Sequence, residues 1–274
     1  MAVVLITGCR SGIGLETALA FGRRGDRTYA TMREASLGAA LCDLAEREGL
    51  PIVVDSLDVT DGAAVTSMVA KIVAVEGGID VLVNNAGIPG VASSIEDIDE
   101  TIGRDVMETN FWAPFRLCRA VLPHMRATGA GVIVNVSTFG VRTGGGVPVL
   151  FFYGVSKQAL FYLSLALQAE VAATGVRVVD IEPGFFATAI YDSTKRQGLA
   201  PSAPYAELVH RVDEAIAGRI ASGDDPVRVA SAIVAAATDP STPTCVLVGD
   251  DAVAAVRAHR ESLLTQWQSE PVPR

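Results

Sequence analysis

The chain has 274 residues, half of them hydrophobic, enough to bury a sizeable core. Its 22 Lys and Arg against 31 Asp and Glu leave a net charge of −9. That balance argues against nucleic acid or an anionic membrane as the main partner, and leaves room for one anionic ligand held by local positive charge.

The predicted elements alternate along the chain. Residues 2–7, AVVLIT, read as a buried strand and 13–24 as a helix. RTYATM (27–32) is strand-like, 36–48 helical, and PIVVDSLDV (51–59) a strand with its exit loop. A helix over 61–76, a strand at DVLVNN (80–85) and a long helix over 101–127 follow. GVIVNVS (131–137) is a strand, 152–173 a helix and VRVVDIEP (176–183) a strand. Residues 185–223 are less regular: polar at first, then Pro201 and Pro204, then a helical segment. An excursion of that length reads as a substrate lid. A helix within 224–240, with Asp225 as N-cap before Pro226, a strand at 244–249 and a helix over 250–267 complete the pattern. Near-continuously apolar strands separated by helices predict an α/β fold: about seven parallel strands covered on both faces, one domain spanning 1–274.

The cysteines, Cys9, Cys42, Cys118 and Cys245, form no C-x-x-C pair and read as reduced thiols of a cytoplasmic protein. His124, His210 and His259 lack metal-ligand spacing, so no metal is expected. The N-terminus lacks the basic start and cleavage site of a signal peptide. No apolar run approaches the ~18 residues that span a bilayer.

Thr7-Gly8-x-x-x-Gly12-Ile13-Gly14 follows the first strand and opens the first helix. A strand, a glycine-rich turn and a helix N-terminus make an anion site. The first backbone N–H groups of the helix are unsatisfied, and glycine lets a pyrophosphate approach them. Farther along stand NNAG (84–87), TN (109–110), NVST (135–138), Tyr153-Gly-Val-Ser-Lys157 and PGFFAT (183–188). These six motifs, in this order, resemble the short-chain dehydrogenase/reductase family. The first loop and YATMRE (29–34) are similar to its steroid and retinol dehydrogenase branch. The resemblance implies a Rossmann-type doubly wound sheet, a nicotinamide cofactor and oxidoreduction of CH–OH and C=O groups.

Hydride transfer to a carbonyl leaves an alkoxide that must gain a proton. Free tyrosine, with a pKa near ~10, needs a neighbouring positive charge to work near neutrality. Tyr153 and Lys157, four apart on a predicted helix, share a face. The resemblance makes them the catalytic pair and gives Lys157 a hydrogen bond to the nicotinamide ribose. It also implies a hydroxyl donor at the end of the fifth strand and a helix-kinking asparagine, Asn110. Strand alternation turns one of Ser137 and Thr138 into the site, and the strand match favours Thr138. The 15-residue interval from Thr138 to Tyr153 is two longer than the family's usual one, with the extra length in TGGGVP (143–148) shaping the pocket mouth.

For the cofactor, the resemblance implies contacts from Thr7, Gly8, Arg10, Ser11, Gly12, Ile13 and Gly14 of the first loop. Asp58 and Val59 face the adenine; Asn84, Asn85, Ala86 and Gly87 border the adenosine ribose. Pro183, Gly184, Phe186 and Thr188 stand at the nicotinamide end. An aspartate after the second strand selects NAD, whereas arginine suits the extra phosphate of NADP. Here Met32-Arg33 occupies that place, so NADP is expected and NAD is the alternative, with Glu34 its supporting residue. Phe139, Phe151, Phe152, Phe185, Phe186 and Tyr191 flank these motifs; those not needed for the core point to a lipophilic ketone, aldehyde or alcohol substrate. A non-catalytic NADPH-binding sensor or scaffold is the reading from another class. Family members are commonly homodimers or homotetramers joined through the helices near 101–127 and 152–173, and the same assembly is expected here.

Overall fold

The computed structural model of the protein describes residues 1–144, 147–191 and 201–269. Strands β1 (Val3–Thr7), β2 (Arg27–Met32), β3 (Ile52–Ser56), β4 (Val81–Asn84), β5 (Gly131–Val136), β6 (Val176–Pro183) and β7 (Cys245–Val248) form one parallel sheet. Their order is β3-β2-β1-β4-β5-β6-β7, the doubly wound arrangement expected above. The order reverses between β1 and β4. In such sheets the ligand crevice lies outside the carboxyl ends of the strands at that reversal.

The strands are mostly apolar because both faces are covered. Val4 and Ile6 of β1 pack with Ala18 and Phe21 of α1 (Gly12–Arg23), Leu41 of α2 (Ala39–Glu48) and Ile233 of α8 (Val227–Thr238). Leu5, between them, faces the other way. It joins Val69 and Ile72 of α3 (Gly62–Glu76), Val121 of α5 (Ala113–Thr128) and Leu167 of α6 (Phe151–Val171). Each such buried side chain contributes about 1.5–3 kcal/mol relative to exposure. The remaining helices are α4 (Glu100–Met107), α7 (Ala206–Ala221) and α9 (Asp250–Ser269).

Several elements differ in detail from the sequence reading. The strand within 51–59 ends at Ser56, where its exit loop begins, and the 36–48 helix begins as a 3-10 turn, Ala35–Gly38. The long helix over 101–127 is broken into α4 and α5 by a π-turn, Glu108–Trp112. Asp58 does not cap α3; Asp61 does, accepting from the Ala63 and Ala64 amides at 2.8 and 3.1 Å. Asp225 accepts from the Val227 amide at 2.9 Å, as its capping role predicts.

The glycines of the first loop serve the fold directly. Gly8 has φ +75°, and a Cβ there would lie 2.8 Å from the Ala86 Cα. A Cβ on Gly14 would lie 2.3 Å from the Gly8 carbonyl oxygen. Neither backbone neighbour can swing away, so the β1–α1 turn closes only with glycine at both places. Gly14→Ala is therefore expected to destabilise the protein by about 1–3 kcal/mol. Gly78→Ala, with open space around it, is expected to stay within about 0.5 kcal/mol of the parent. Urea denaturation checks both; equal midpoints for the two variants would contradict the packing account.

Candidate active site

The β1–α1 loop is fastened to the end of β4 by side chains. The Thr7 hydroxyl accepts from the amides of Asn85 and Ala86, both at 3.1 Å, and donates to the Val83 carbonyl. The Asn85 side-chain amide donates to the carbonyls of Thr7 and Gly8 at 2.9 and 3.2 Å. Beyond this clasp, α1 starts with no side-chain cap on Ser11 and no acidic residue in its first turn. Its N–H groups are thus unsatisfied and the local field is positive, which suits a pyrophosphate. Gly12, at φ +58°, leaves 3.0 Å between a hypothetical Cβ and Thr188 Cγ2, so Thr188 overhangs the helix start. Ile13, Asn85, Gly87, Pro183, Gly184, Phe186 and Thr188 all border one cavity with Tyr153 and Lys157.

Asn84 is corrected by the structure. It is buried under the sheet, its amide donating to Asn135 Oδ1 at 2.8 Å and to Cys118 Sγ at 3.5 Å. Alternation along the chain sends Asn84 inward and Asn85 to the cavity. At the far end of the crevice, Asp58 accepts from the Thr60 hydroxyl and amide, and Arg33 Nε lies 3.6 Å from Asp58 Oδ2. Burial raises the Asp58 pKa, but Thr60 and the Arg33 guanidinium outweigh it and hold the carboxyl below its usual range. Val59 is buried, Arg10 and Glu34 are exposed, and Arg33 keeps 67% of its side chain in solvent.

Tyr153 and Lys157 lie on the first turns of α6, and Thr138 follows Ser137 just past the end of β5. Thr138 and Tyr153 border the same cavity, and the Thr138 hydroxyl is near enough to the phenol to act on its pKa. Burial pushes that phenol's pKa up to about 12, with Thr138 pulling the other way. Ser137 also borders the cavity, but its hydroxyl donates to Asp180 Oδ2, which leaves Thr138 with the freer hydroxyl there. Lys157 is 4% exposed and donates to the Val136 carbonyl at 2.8 Å. Burial lowers its pKa to about 8, with Asp180 opposing.

Asn110 is the pivot of the π-turn. Its Oδ1 accepts from the Ile88 amide at 2.8 Å, and its Nδ2 donates to the Ile88 carbonyl and the Ser156 hydroxyl. Ser156 in turn donates to the Tyr153 carbonyl at 2.8 Å. Asn110 thus ties the β4–α4 loop to the backbone of the first turn of α6. The kink and the binding are one feature, because a π-turn frees the helix to aim this side chain inward.

The cavity measures about 650 Å³ and is mostly apolar. Phe139, Val149, Leu150, Phe151 and Phe185 line it, closed by Ile216 and Ile220 of α7. Phe186 reaches it from the core, and Tyr191 borders it while donating to Asp213 Oδ1 at 2.6 Å. Phe152 does not line it; this ring packs over Gly103 of α4. Gly144, Val147 and Pro148 border it, as expected of the extra length there, whereas Gly145, Gly146 and the polar stretch 192–200 lie outside the described residues.

Sequence reasoning missed three supports. Asp251, at the start of α9, accepts from the Phe185 amide at 2.8 Å and fixes the turn after β6. The Phe185 ring then meets Phe139 edge-on at 5.7 Å and takes the Arg219 guanidinium of α7 at 5.3 Å. Glu182, fully buried on β6, is held by a bidentate Arg142. The charged positions inside the apolar VRVVDIEP strand were the available signal for Glu182 and Asp180; Asp251 is 66 residues from its partner and left none.

The family model described as short chain dehydrogenase matches residues 2–198. The chain belongs to the short-chain dehydrogenase family. Its members bind NAD or NADP and act on CH–OH and C=O groups. This short-chain dehydrogenase is 32% identical over 248 residues to a 3-ketodihydrosphingosine reductase of Bacteroides thetaiotaomicron, covering 90% of this chain and 87% of that one. It is 37% identical over 196 residues to a putative ketoacyl reductase of Streptomyces coelicolor, covering 70% and 74%. A solved short-chain dehydrogenase from Streptomyces avermitilis superposes with a TM-score of 0.82 at 34% identity, over 97% of this chain and 96% of that one. The uncapped start of α1 and the cavity beside Lys157 fit the dinucleotide that the family uses.

Removing Arg142 strands the Glu182 carboxylate in the core. Because solvent reaches the guanidinium, Arg142→Met is expected to cost about 2 kcal/mol, below the full range for buried pairs. Adding Glu182→Gln should recover most of that loss. Urea denaturation of the single and double variants reads this; an unchanged midpoint for Arg142→Met would contradict it.

Proposed function

We propose that the protein is an NADP(H)-dependent oxidoreductase that interconverts a lipophilic ketone or aldehyde and its alcohol. The observation that carries this reading is the Thr138–Tyr153 hydroxyl pair facing an apolar cavity, with Lys157 one helical turn from the phenol. The bound dinucleotide would supply or accept the hydride at its nicotinamide ring. Thr138 holds the substrate oxygen and Tyr153 gives it a proton in reduction, or takes one in oxidation. With its pKa raised by burial, the phenol is protonated near neutrality and is poised as an acid for carbonyl reduction. The Lys157 ammonium favours the phenolate that remains after the proton leaves. Apolar walls and the α7 side of the 185–223 segment, acting as a lid, exclude water around that transfer.

Arg33 supports NADP over NAD. Its guanidinium is exposed at the end of β2, the place for a ribose 2′-phosphate, and Met32 beside it is buried. The apolar lining supports a lipophilic substrate and the steroid- and retinol-like branch. The names of the two relatives, which both contain a ketone reductase activity, support the direction towards the alcohol. Trp112, Val155, Tyr162 and Leu165 stand exposed on or beside α5 and α6 and support a homo-oligomer joined there.

NADPH consumption with a panel of lipophilic ketones and aldehydes tests the activity. Tyr153→Phe is expected to lower kcat at least about 100-fold; unchanged turnover would remove the phenol from the mechanism. Arg33→Ala is expected to raise the KM for NADPH about tenfold or more and leave that for NADH unaltered; equal effects would refute the NADP reading. The reduction rate should fall as pH rises through about 8, where Lys157 loses its proton. A flat profile from pH 7 to 9 would contradict that role.

A further inference from the structure

Beneath the cavity runs a chain of buried polar groups that the mechanism leaves unused. Asn84 Nδ2 donates to Asn135 Oδ1 at 2.8 Å, and Asn135 Nδ2 donates to the Ser164 hydroxyl at 2.9 Å. The Ser164 hydroxyl lies 2.9 Å from both Asp180 Oδ1 and the Leu160 carbonyl oxygen, and its one proton can serve either. From the other side, Ser137 donates to Asp180 Oδ2. The Asn84 and Asn135 amides and the Ser137 hydroxyl lead towards Asp180, and at the head of the chain Asn84 Oδ1 has no partner among the described residues. Burial outweighs the Ser137 and Ser164 hydroxyls, which favour the ionised carboxylate, and raises the Asp180 pKa to about 7. Asp180 sits mid-strand in β6, where the sheet is closed on both faces and water gives no help.

A buried carboxylate needs a cation. The charged and titratable groups around Asp180 are few. Glu182, on the same strand, is neutralised by Arg142. Cys245 lies opposite in the β6–β7 register. That leaves Lys157 of α6 as the cation facing it among the described residues. The two flank a single peptide: Lys157 Nζ donates to its Val136 carbonyl, while the Ser137 side chain on its other end donates to Asp180. Val136 O is the one hydrogen-bond acceptor of Lys157 among the described residues, so its charge is otherwise unmatched.

We propose that Asp180 is the buried counter-charge that keeps Lys157 an ammonium, and so a positioning residue that acts through the lysine. Ser137 and Ser164 favour the carboxylate against the burial that raises its pKa, which gives Ser137 a task other than touching substrate. The part of this inference that concerns turnover rests on the function proposed above; the part that concerns the charge of Lys157 does not.

The sequence holds three lysines, Lys71, Lys157 and Lys195, so the Cε resonances of protein labelled with [ε-13C]lysine give three signals to follow against pH. Lys71→Arg and Lys195→Arg assign the Lys157 signal by elimination. In Asp180→Asn, with folding checked by circular dichroism, the Lys157 midpoint is expected to fall by about one pH unit or more, since removing an opposite charge destabilises the ammonium. Ser164→Ala, which keeps the carboxylate but removes one of its donors, should move the midpoint the same way by less, and decides the matter if Asp180→Asn does not fold. The alkaline limb of kcat/KM for carbonyl reduction should move with the midpoint. A Lys157 midpoint unaltered in the folded variants would overturn the proposal, even if the enzyme reduces carbonyls. A shifted midpoint in a protein that reduces none would uphold it and refute the function instead.

Discussion

The placing of Thr138 and Tyr153 on one wall of the cavity is what the rest of the site is arranged around. It joins the end of β5 to the first turn of α6 across a 15-residue connection that the chain must close elsewhere. Three supports close it. Ser137 is drawn down to Asp180, which turns Thr138 outward. Asn110 and Ser156 tie the backbone at Tyr153 to the loop after β4. Phe185, pinned by Asp251, packs its ring on Phe139 next to Thr138. Two hydroxyls bordering an apolar cavity lose hydration that a substrate oxygen would restore.

The site has two ends with different physics. At the first loop the work is done by backbone: unsatisfied N–H groups at the start of α1, reached because Gly8 and Gly14 allow the turn to close on Ala86 and on itself. At the cavity it is done by side chains, apolar on the walls and polar at one point of the floor. Arg219 over the Phe185 ring links the wall to α7, so the helix that closes the cavity is coupled to the residue beside the hydroxyl pair. Position along β1, β4, β5 and β6 decides which end a residue serves, because all four deliver their carboxyl ends to the same crevice.

Much of this was legible in the sequence, where local periodicity or a fixed spacing carried it. The seven strands were visible because a sheet buried on both faces needs continuous apolar runs, and Tyr153 with Lys157 because four residues make one helical turn. Asn84 and Asn85 were both expected at the ribose, since a run of two asparagines does not say which side chain the strand turns inward. The break between α4 and α5 left no trace in composition, because a π-turn preserves it; only the resemblance pointed to a kink at Asn110. Asp180 and Glu182 were read as part of a strand, although two carboxylates in a doubly covered strand require partners. Those partners, Ser137, Ser164, Lys157 and Arg142, come from elements far away in sequence and meet only when the sheet forms. Asp251 belongs to the same class.

The account turns on where a substrate oxygen sits. The direct measurement is a crystal structure of the protein with its dinucleotide and a carbonyl substrate or unreactive analogue. The oxygen is predicted to lie within about 2.6–3.2 Å of both the Tyr153 and Thr138 hydroxyls, with Ser137 still turned to Asp180. An oxygen held by Ser137, or bound out of reach of the phenol, would contradict it.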